Sequence, residues 1–185
     1  MLYLTTDTHI GHLMLERTGQ RPVGFSELIL ENWRETVTDA DTVLHLGDVA
    51  FHNDTQLTRI AELPGRKILV RGNHDSKAIT YYMEHGFAFA CDELLMKLEG
   101  IRILFSHHPQ YDHTADINIH GHQHDLHMDD RSKLYLPLAL ECNGYRLFPV
   151  DHKFLRTVRS WVDRKHVPTE DEILEIHKRN MEGWL

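Results

Sequence analysis

An α/β sandwich, with two mixed β-sheets packed face to face and helices outside, is the fold class this sequence predicts. Three observations predict it. Short apolar segments at 2–6, 42–46 and 67–70 alternate with segments of helical periodicity as far as residue 86. From residue 94 the pattern turns strand-rich, which calls for a second sheet beyond the first. The 185 residues, 41% hydrophobic and 26% charged, have the size and composition of one globular domain that needs no disulfide. A four-layer αββα arrangement accommodates this order, with residues 1–185 as one domain and 151–185 as a helical segment packed on it.

The elements follow in order. The run LYLTT at 2–6 reads as a buried strand entering Asp7-Thr8-His9-Ile10-Gly11-His12. Ser26 is placed to cap a helix reaching Thr38, since Leu28, Ile29, Trp33 and Val37 recur at helical spacing. Thr42–Leu46 is a second strand ending in Gly47-Asp48, followed by a helix over 55–63 that Pro64-Gly65 stops. Lys67–Val70 is a third strand, ending in Gly72-Asn73-His74-Asp75. Asp75 or Ser76 then caps a helix that ends near Gly86.

Leu94–Leu98 and Ile101–Phe105 flank Glu99-Gly100, the spelling of a tight hairpin. Further strands are expected at 116–120, 134–139 and 145–148. The chain closes with a helix over 152–164 and another opened by Thr169, with Glu172 three residues on as a capping box.

Composition narrows the function. No apolar run approaches the ~20 residues that span a bilayer, and the N-terminus has no basic, cleavable leader, so membrane anchoring and secretion are not expected. Cys91 and Cys142, expected to be small buried residues, form no metal-type pair and suit a reducing, cytoplasmic setting. The net charge of −8 argues against a protein that binds nucleic acid over an extended face. Sixteen histidines, in contrast, direct attention to metal chemistry.

Five polar clusters follow strands: Asp7-Thr8-His9, Gly47-Asp48, Gly72-Asn73-His74-Asp75, His107-His108, and His120-Gly121-His122-Gln123-His124. Ligands collect beyond the carboxyl ends of strands in open α/β sheets, so these clusters can converge. In extended chain, residues i and i+2 point the same way, so Asp7 and His9 can share one ion, and His122 and His124 can likewise aim into one site. Carboxylate, imidazole and amide donors without thiolate suit manganese, iron, zinc, cobalt or nickel.

This ordered set, D-x-H, G-D, G-N-H-D, a histidine after a strand and G-H-x-H, resembles the calcineurin-like metallophosphoesterase superfamily over about residues 1–150. The stretches DTHIGH, HLGDVAF, ILVRGNHD and FSHHP are closest to its compact bacterial and phage-type members. The resemblance implies a centre of two divalent ions, manganese first. Asp7, His9 and His124 would hold one ion and Asn73, His107 and His122 the other, with Asp48 bridging them. The ligand position after Ser106 falls on His107 rather than His108. His74 would face the substrate phosphate as the catalytic residue. The implied activity is phosphodiester hydrolysis of a small phosphoester such as a nucleotide, through a hydroxide held between the ions.

Phosphomonoester hydrolysis is the neighbouring alternative, and a non-catalytic protein-binding scaffold is the alternative from another class. The protein serine/threonine phosphatase branch is disfavoured, because GDVAFHN lacks the arginine that follows the equivalent aspartate there. His12 and His52, on loops near the motifs, are candidate substrate contacts. His45 is expected to be packed. His85, His113, His127, His152, His166 and His177, without motif context, are expected at the surface.

Overall fold

The computed structural model describes residues 1–51, 54–128 and 134–182. The first sheet has the order β4-β3-β2-β1-β9, formed by β1 (Leu2–Thr5), β2 (Thr42–His45), β3 (Arg66–Val70), β4 (Phe89–Cys91) and β9 (Phe148–Pro149). Strands β1 to β4 are parallel and β9 runs antiparallel to β1. The second sheet, β5-β6-β7-β8, comprises β5 (Glu93–Leu98), β6 (Ile101–Ser106), β7 (Ile117–His120) and β8 (Tyr135–Pro137). There β5 and β6 form the antiparallel hairpin around Glu99-Gly100, while β6, β7 and β8 are parallel. Both sheets are mixed and helices flank them, as the sequence pattern requires.

Alternation along the first sheet explains the layering. Leu4, Leu44 and Val70 enter a core shared with Ile103, Phe105, Ile117 and Ile119 of the second sheet. Their neighbours Val43 and Leu69 point the other way, into a second core with the helices α2 (Phe25–Thr36), α3 (Asp54–Ala61) and α4 (Ile79–Glu84). The period of two in a strand puts successive side chains on opposite faces, so one strand serves both cores. The last two helices, α5 (His152–Arg164) and α6 (Glu170–Glu182), add Phe154, Leu155, Val158, Trp161, Ile173 and Ile176 to the inter-sheet core. Arg159 of α5 also donates to the carbonyl of Glu99 at the hairpin turn.

Several local expectations change. Ser26 lies inside the first turn of α2, where its hydroxyl accepts from the Gly11 amide at 3.1 Å; Gly24, in the left-handed region, is the N-cap. Helix α4 begins at Ile79 behind Ala78, and neither Asp75 nor Ser76 caps it. The strand expected at 134–139 stops at Pro137 and passes into a 3₁₀ helix, Leu140–Asn143. The strand expected from Tyr145 begins at Phe148, because Tyr145 has a φ of 61°. The short helix α1 (Leu13–Arg17) and strand β4 carry too little periodicity to be read in advance. Cys91 and Cys142 are half-buried and unpaired. The Thr169–Glu172 capping box forms as spelled, with the Thr169 amide donating to Glu172 Oε2 at 2.8 Å. Among the described residues no helix is long and apolar enough to cross a membrane.

His177 is fully buried rather than at the surface. Its Nδ1 donates to the Ile173 carbonyl at 2.9 Å, and its Nε2 accepts from the Ala139 amide at 3.4 Å. Burial drops its pKa to about 4, so the folded protein holds it neutral. Between pH 6.5 and 4 the unfolded chain therefore binds a proton that the native state refuses, and stability falls as pH falls by about 1.4 kcal/mol per unit from this residue. Chemical denaturation of wild type and His177→Gln across that range checks this. The glutamine variant is expected to show the shallower pH dependence, and identical slopes would contradict the assignment.

Candidate metal centre

Parallel register brings the clusters of the first sheet to one level. Thr5 pairs with His45, and His45 with Leu69. The pairing continues past the strand ends: the Asp7 amide donates to Gly47 O at 2.9 Å and the His9 amide to Asp48 O at 2.9 Å. His107 and His122 with His124 arrive from the ends of β6 and β7 in the second sheet. The loops at these strand ends pack too closely for a side chain at two glycines, one within the first sheet and one between the sheets. A Cβ on Gly72 would lie 2.2 Å from Asp48 Oδ1, and one on Gly121 would lie 1.8 Å from Thr6 Oγ1. Glycine at both positions lets the loops close on one another.

Seven sequence-predicted ligands converge there. Asp7, His9 and His124 present donor atoms within 4.8 Å of one another, as do Asp7, Asp48 and His107. His9 Nε2 is 3.3 Å from His124 Nε2, and His124 Nε2 is 3.5 Å from Asp7 Oδ1. On the other side, His107 Nε2 is 2.9 Å from Asn73 Oδ1 and 3.2 Å from His122 Nδ1. Asp48 Oδ2 stands between the groups, 3.6 Å from His9 Nε2 and 3.5 Å from His107 Nε2. The i, i+2 pairs, however, are not in extended chain. Asp7, His9, Asp48, His122 and His124 all have φ between 43° and 72°. Left-handed residues alternating with Thr8 or Gln123 aim these side chains into the site. Aspartate and histidine tolerate that region better than most residues.

The donor set fits divalent ions. Asp7 Oδ2 is occupied by Thr6 Oγ1 at 2.5 Å and the His122 amide at 2.9 Å, whereas Asp7 Oδ1 is buried without a hydrogen-bond partner. Such an orphaned carboxylate oxygen facing imidazoles suits a cation. Burial pushes the Asp7 carboxyl above its usual range, against the pull of His107 and His124. Burial, aided by Arg21 and His124, drops His9 to about 2, and burial drops His122 to about 4. Neutral imidazole is the form that ligates metal. His107 Nδ1 donates to Leu46 O at 2.8 Å, which leaves its Nε2 lone pair for the site.

Four buried or half-buried residues around the ligand groups support the centre, and two of them, Arg21 and Glu141, lie outside every motif. Buried Asp75, instead of capping α4, accepts from the amides of Asp48 at 2.7 Å, Val49 at 3.1 Å and Gly72 at 2.8 Å, and so ties two loops together. His45 is packed as expected, with Nε2 at 2.8 Å from Thr8 Oγ1 and Nδ1 accepting from the Gly47 amide at 3.1 Å. Glu141 Oε1 lies 2.9 Å from His124 Nδ1 and 2.6 Å from Arg21 Nη2. Burial opposes ionisation of Glu141, but the His124 hydrogen bond and the Arg21 charge override it and hold its pKa below the usual range. Single polar residues between unrelated elements leave no motif, and nothing in the sequence marked Arg21 or Glu141.

His74 sits at the rim, its side chain 44% exposed and its Nε2 3.9 Å from Asp48 Oδ2. His108 is exposed and its ring lies 4.0 Å from that of His122, with one ring nitrogen within 4.8 Å of donor atoms of His107 and His122. His12 stacks on Phe51 at 3.9 Å with its ring 5.6 Å from that of His9. His52 lies outside the described residues. Two cavities flank the centre. One, of about 430 Å³, is lined by His9, His12, His74 and His124; the other, of about 520 Å³, by His108, Pro109, His122 and His127. Gln123 and Asp125 belong to both.

Comparison with known proteins is consistent with this geometry. An uncharacterized protein of Methanocaldococcus jannaschii is 28% identical over 139 residues, covering 70% of this chain and 72% of that protein. The Gene 66 protein of Mycobacterium phage D29 is 30% identical over 155 residues, covering 66% of this chain and 78% of the phage protein. The crystal structure of a protein of unknown function from Aquifex aeolicus superposes with a TM-score of 0.70 at 28% identity, over 85% of this chain and 98% of that one. The model of the calcineurin-like phosphoesterase superfamily domain matches residues 2–139, most of the chain including every candidate ligand. With that match added to clustered Asp and His donors at the strand ends, the chain belongs to the calcineurin-like phosphoesterase superfamily, hydrolases of phosphoric esters that work with divalent metal ions.

Proposed function

We propose that this hydrolase is a two-metal phosphodiesterase of the cytoplasm, using manganese and acting on a small phosphoester such as a nucleotide. One observation carries the two-metal reading: Asp48 Oδ2 lies between two donor groups, 3.6 Å from His9 and 3.5 Å from His107. Asp7, His9 and His124 would hold one ion, and Asn73, His107 and His122 the other, with Asp48 shared. When bound, two such ions supply an acidified water as nucleophile and polarise the phosphoryl oxygens. Imidazole, carboxylate and amide donors suit manganese, and iron, zinc, cobalt and nickel are the other candidates.

The protein's own groups then set the reaction. His74, at the rim and outside both donor groups, donates its ring proton to the departing oxygen. Cavities on both sides of the centre favour an ester with a substituent on each side of phosphorus, and each falls in the ~300–1,000 Å³ range of small-molecule sites. His12, stacked on Phe51, offers one of those substituents a flat contact.

The test uses chelator-stripped protein with bis(p-nitrophenyl) phosphate and p-nitrophenyl phosphate, with and without added Mn²⁺. Turnover is expected only with Mn²⁺ and faster on the diester. Faster monoester turnover would overturn the diester assignment. Two bound ions without turnover on either ester would favour the scaffold reading.

A further inference from the structure

We infer that Arg21 and Glu141 form a positioning unit that sets the affinity and alignment of the metal position at Asp7, His9 and His124, an inference that rests on the two-metal reading above. Glu141 Oε1 accepts from Arg21 Nε at 2.8 Å, from Arg21 Nη2 at 2.6 Å and from His124 Nδ1 at 2.9 Å. With the proton on Nδ1, the Nε2 lone pair of His124 faces His9 Nε2 at 3.3 Å and Asp7 Oδ1 at 3.5 Å. The opposite tautomer would point a hydrogen at both and close the site to a cation. Arg21 Nη2 also lies 3.3 Å from His124 Nδ1, a contact between two donors that share Glu141 as acceptor.

The same guanidinium also reaches the backbone that carries the other two donors of the group. Arg21 Nη1 donates to the Thr8 carbonyl at 3.2 Å, in the peptide that joins Thr8 to His9. One buried cation thus links the backbone of Asp7-Thr8-His9 to the carboxylate that orients His124. Its own geometry is held by the rings of Phe25 and Tyr145, at 4.9 and 5.8 Å from its central carbon. Arg21 is 3% exposed, so its charge requires the Glu141 partner. A lysine cannot reproduce the planar fork that reaches both acceptors. Neither residue is on a loop that carries a ligand: Arg21 lies between α1 and α2, and Glu141 lies in the 3₁₀ helix. They therefore govern one donor group and leave Asn73, His107 and His122 untouched.

Calorimetric titration of the metal-free chain with Mn²⁺ tests this without relying on turnover. Wild type is expected to bind two ions. Glu141→Gln should weaken one by about 10–100-fold, the usual effect of losing a partner that orients a metal ligand, and leave the other unchanged. Arg21→Lys should weaken the same ion. A merely structural role would lower thermal stability without separating the two affinities. Two tight ions in wild type and in both variants would overturn the positioning role alone. Fewer than two in wild type would overturn the two-metal reading and the positioning role with it. Should Glu141→Gln not fold, Arg21→Lys decides on the same criteria.

Discussion

Asp48→Asn is expected to lower metal content below two ions per chain and to reduce turnover by more than about 100-fold, the upper end for loss of a residue that merely orients a ligand. The variant is isosteric, and its effect follows from which atom goes where. Asp48 Oδ1 accepts the His74 amide at 2.8 Å, so the asparagine oxygen will occupy that position. Its NH₂ then replaces Oδ2, between His9 Nε2 and His107 Nε2. On the proposed two-metal reading a donor would stand where both ions require a lone pair, and one negative charge is gone. Elemental analysis of purified, Mn²⁺-loaded variant checks this. Two full ions per chain would contradict the shared role of Asp48.

His74→Ala should separate chemistry from metal binding. The hydrogen bond of His74 to Asp48 runs through its backbone amide, which alanine retains, and its Nε2 stands 3.9 Å from Asp48 Oδ2, so on the proposed two-metal reading the centre should keep both ions. Loss of the imidazole would remove the proposed proton donor, and kcat is expected to fall by about 10²–10⁴-fold with little change in metal content. An unchanged rate would remove His74 from the reaction, and loss of metal would make it part of the centre's frame instead.

The candidate site was legible in the sequence because its residues sit in short blocks at strand ends, and parallel register carries such blocks to one edge. Extended pleating at Asp7-x-His9 and His122-x-His124, which the spacing suggests, is nevertheless not what makes them converge. Left-handed backbone at those residues does the same work, and sequence spacing cannot tell the two apart. Asp75 was read as a helix cap because aspartate before a helical pattern ordinarily is one. Three amides from two loops compete for its carboxylate and win, as they are buried donors that would otherwise lack a partner. Arg21 and Glu141 were invisible for a different reason: they are separated by 120 residues and neither lies in a motif. His177 was misplaced because a histidine on an amphipathic helix gives no sign that both ring nitrogens will find backbone partners.

The five candidate ligands with positive φ bear on how such a protein could be improved. Each holds a left-handed backbone conformation that glycine would occupy with less strain, at roughly 1–3 kcal/mol per non-glycine residue. Thermal endurance and chemistry therefore pull against each other at positions 7, 9, 48, 122 and 124. Directed evolution for heat resistance would find gains on the helices and at the hairpin. If the proposed ligand set holds, any gain found at these five positions comes with loss of turnover.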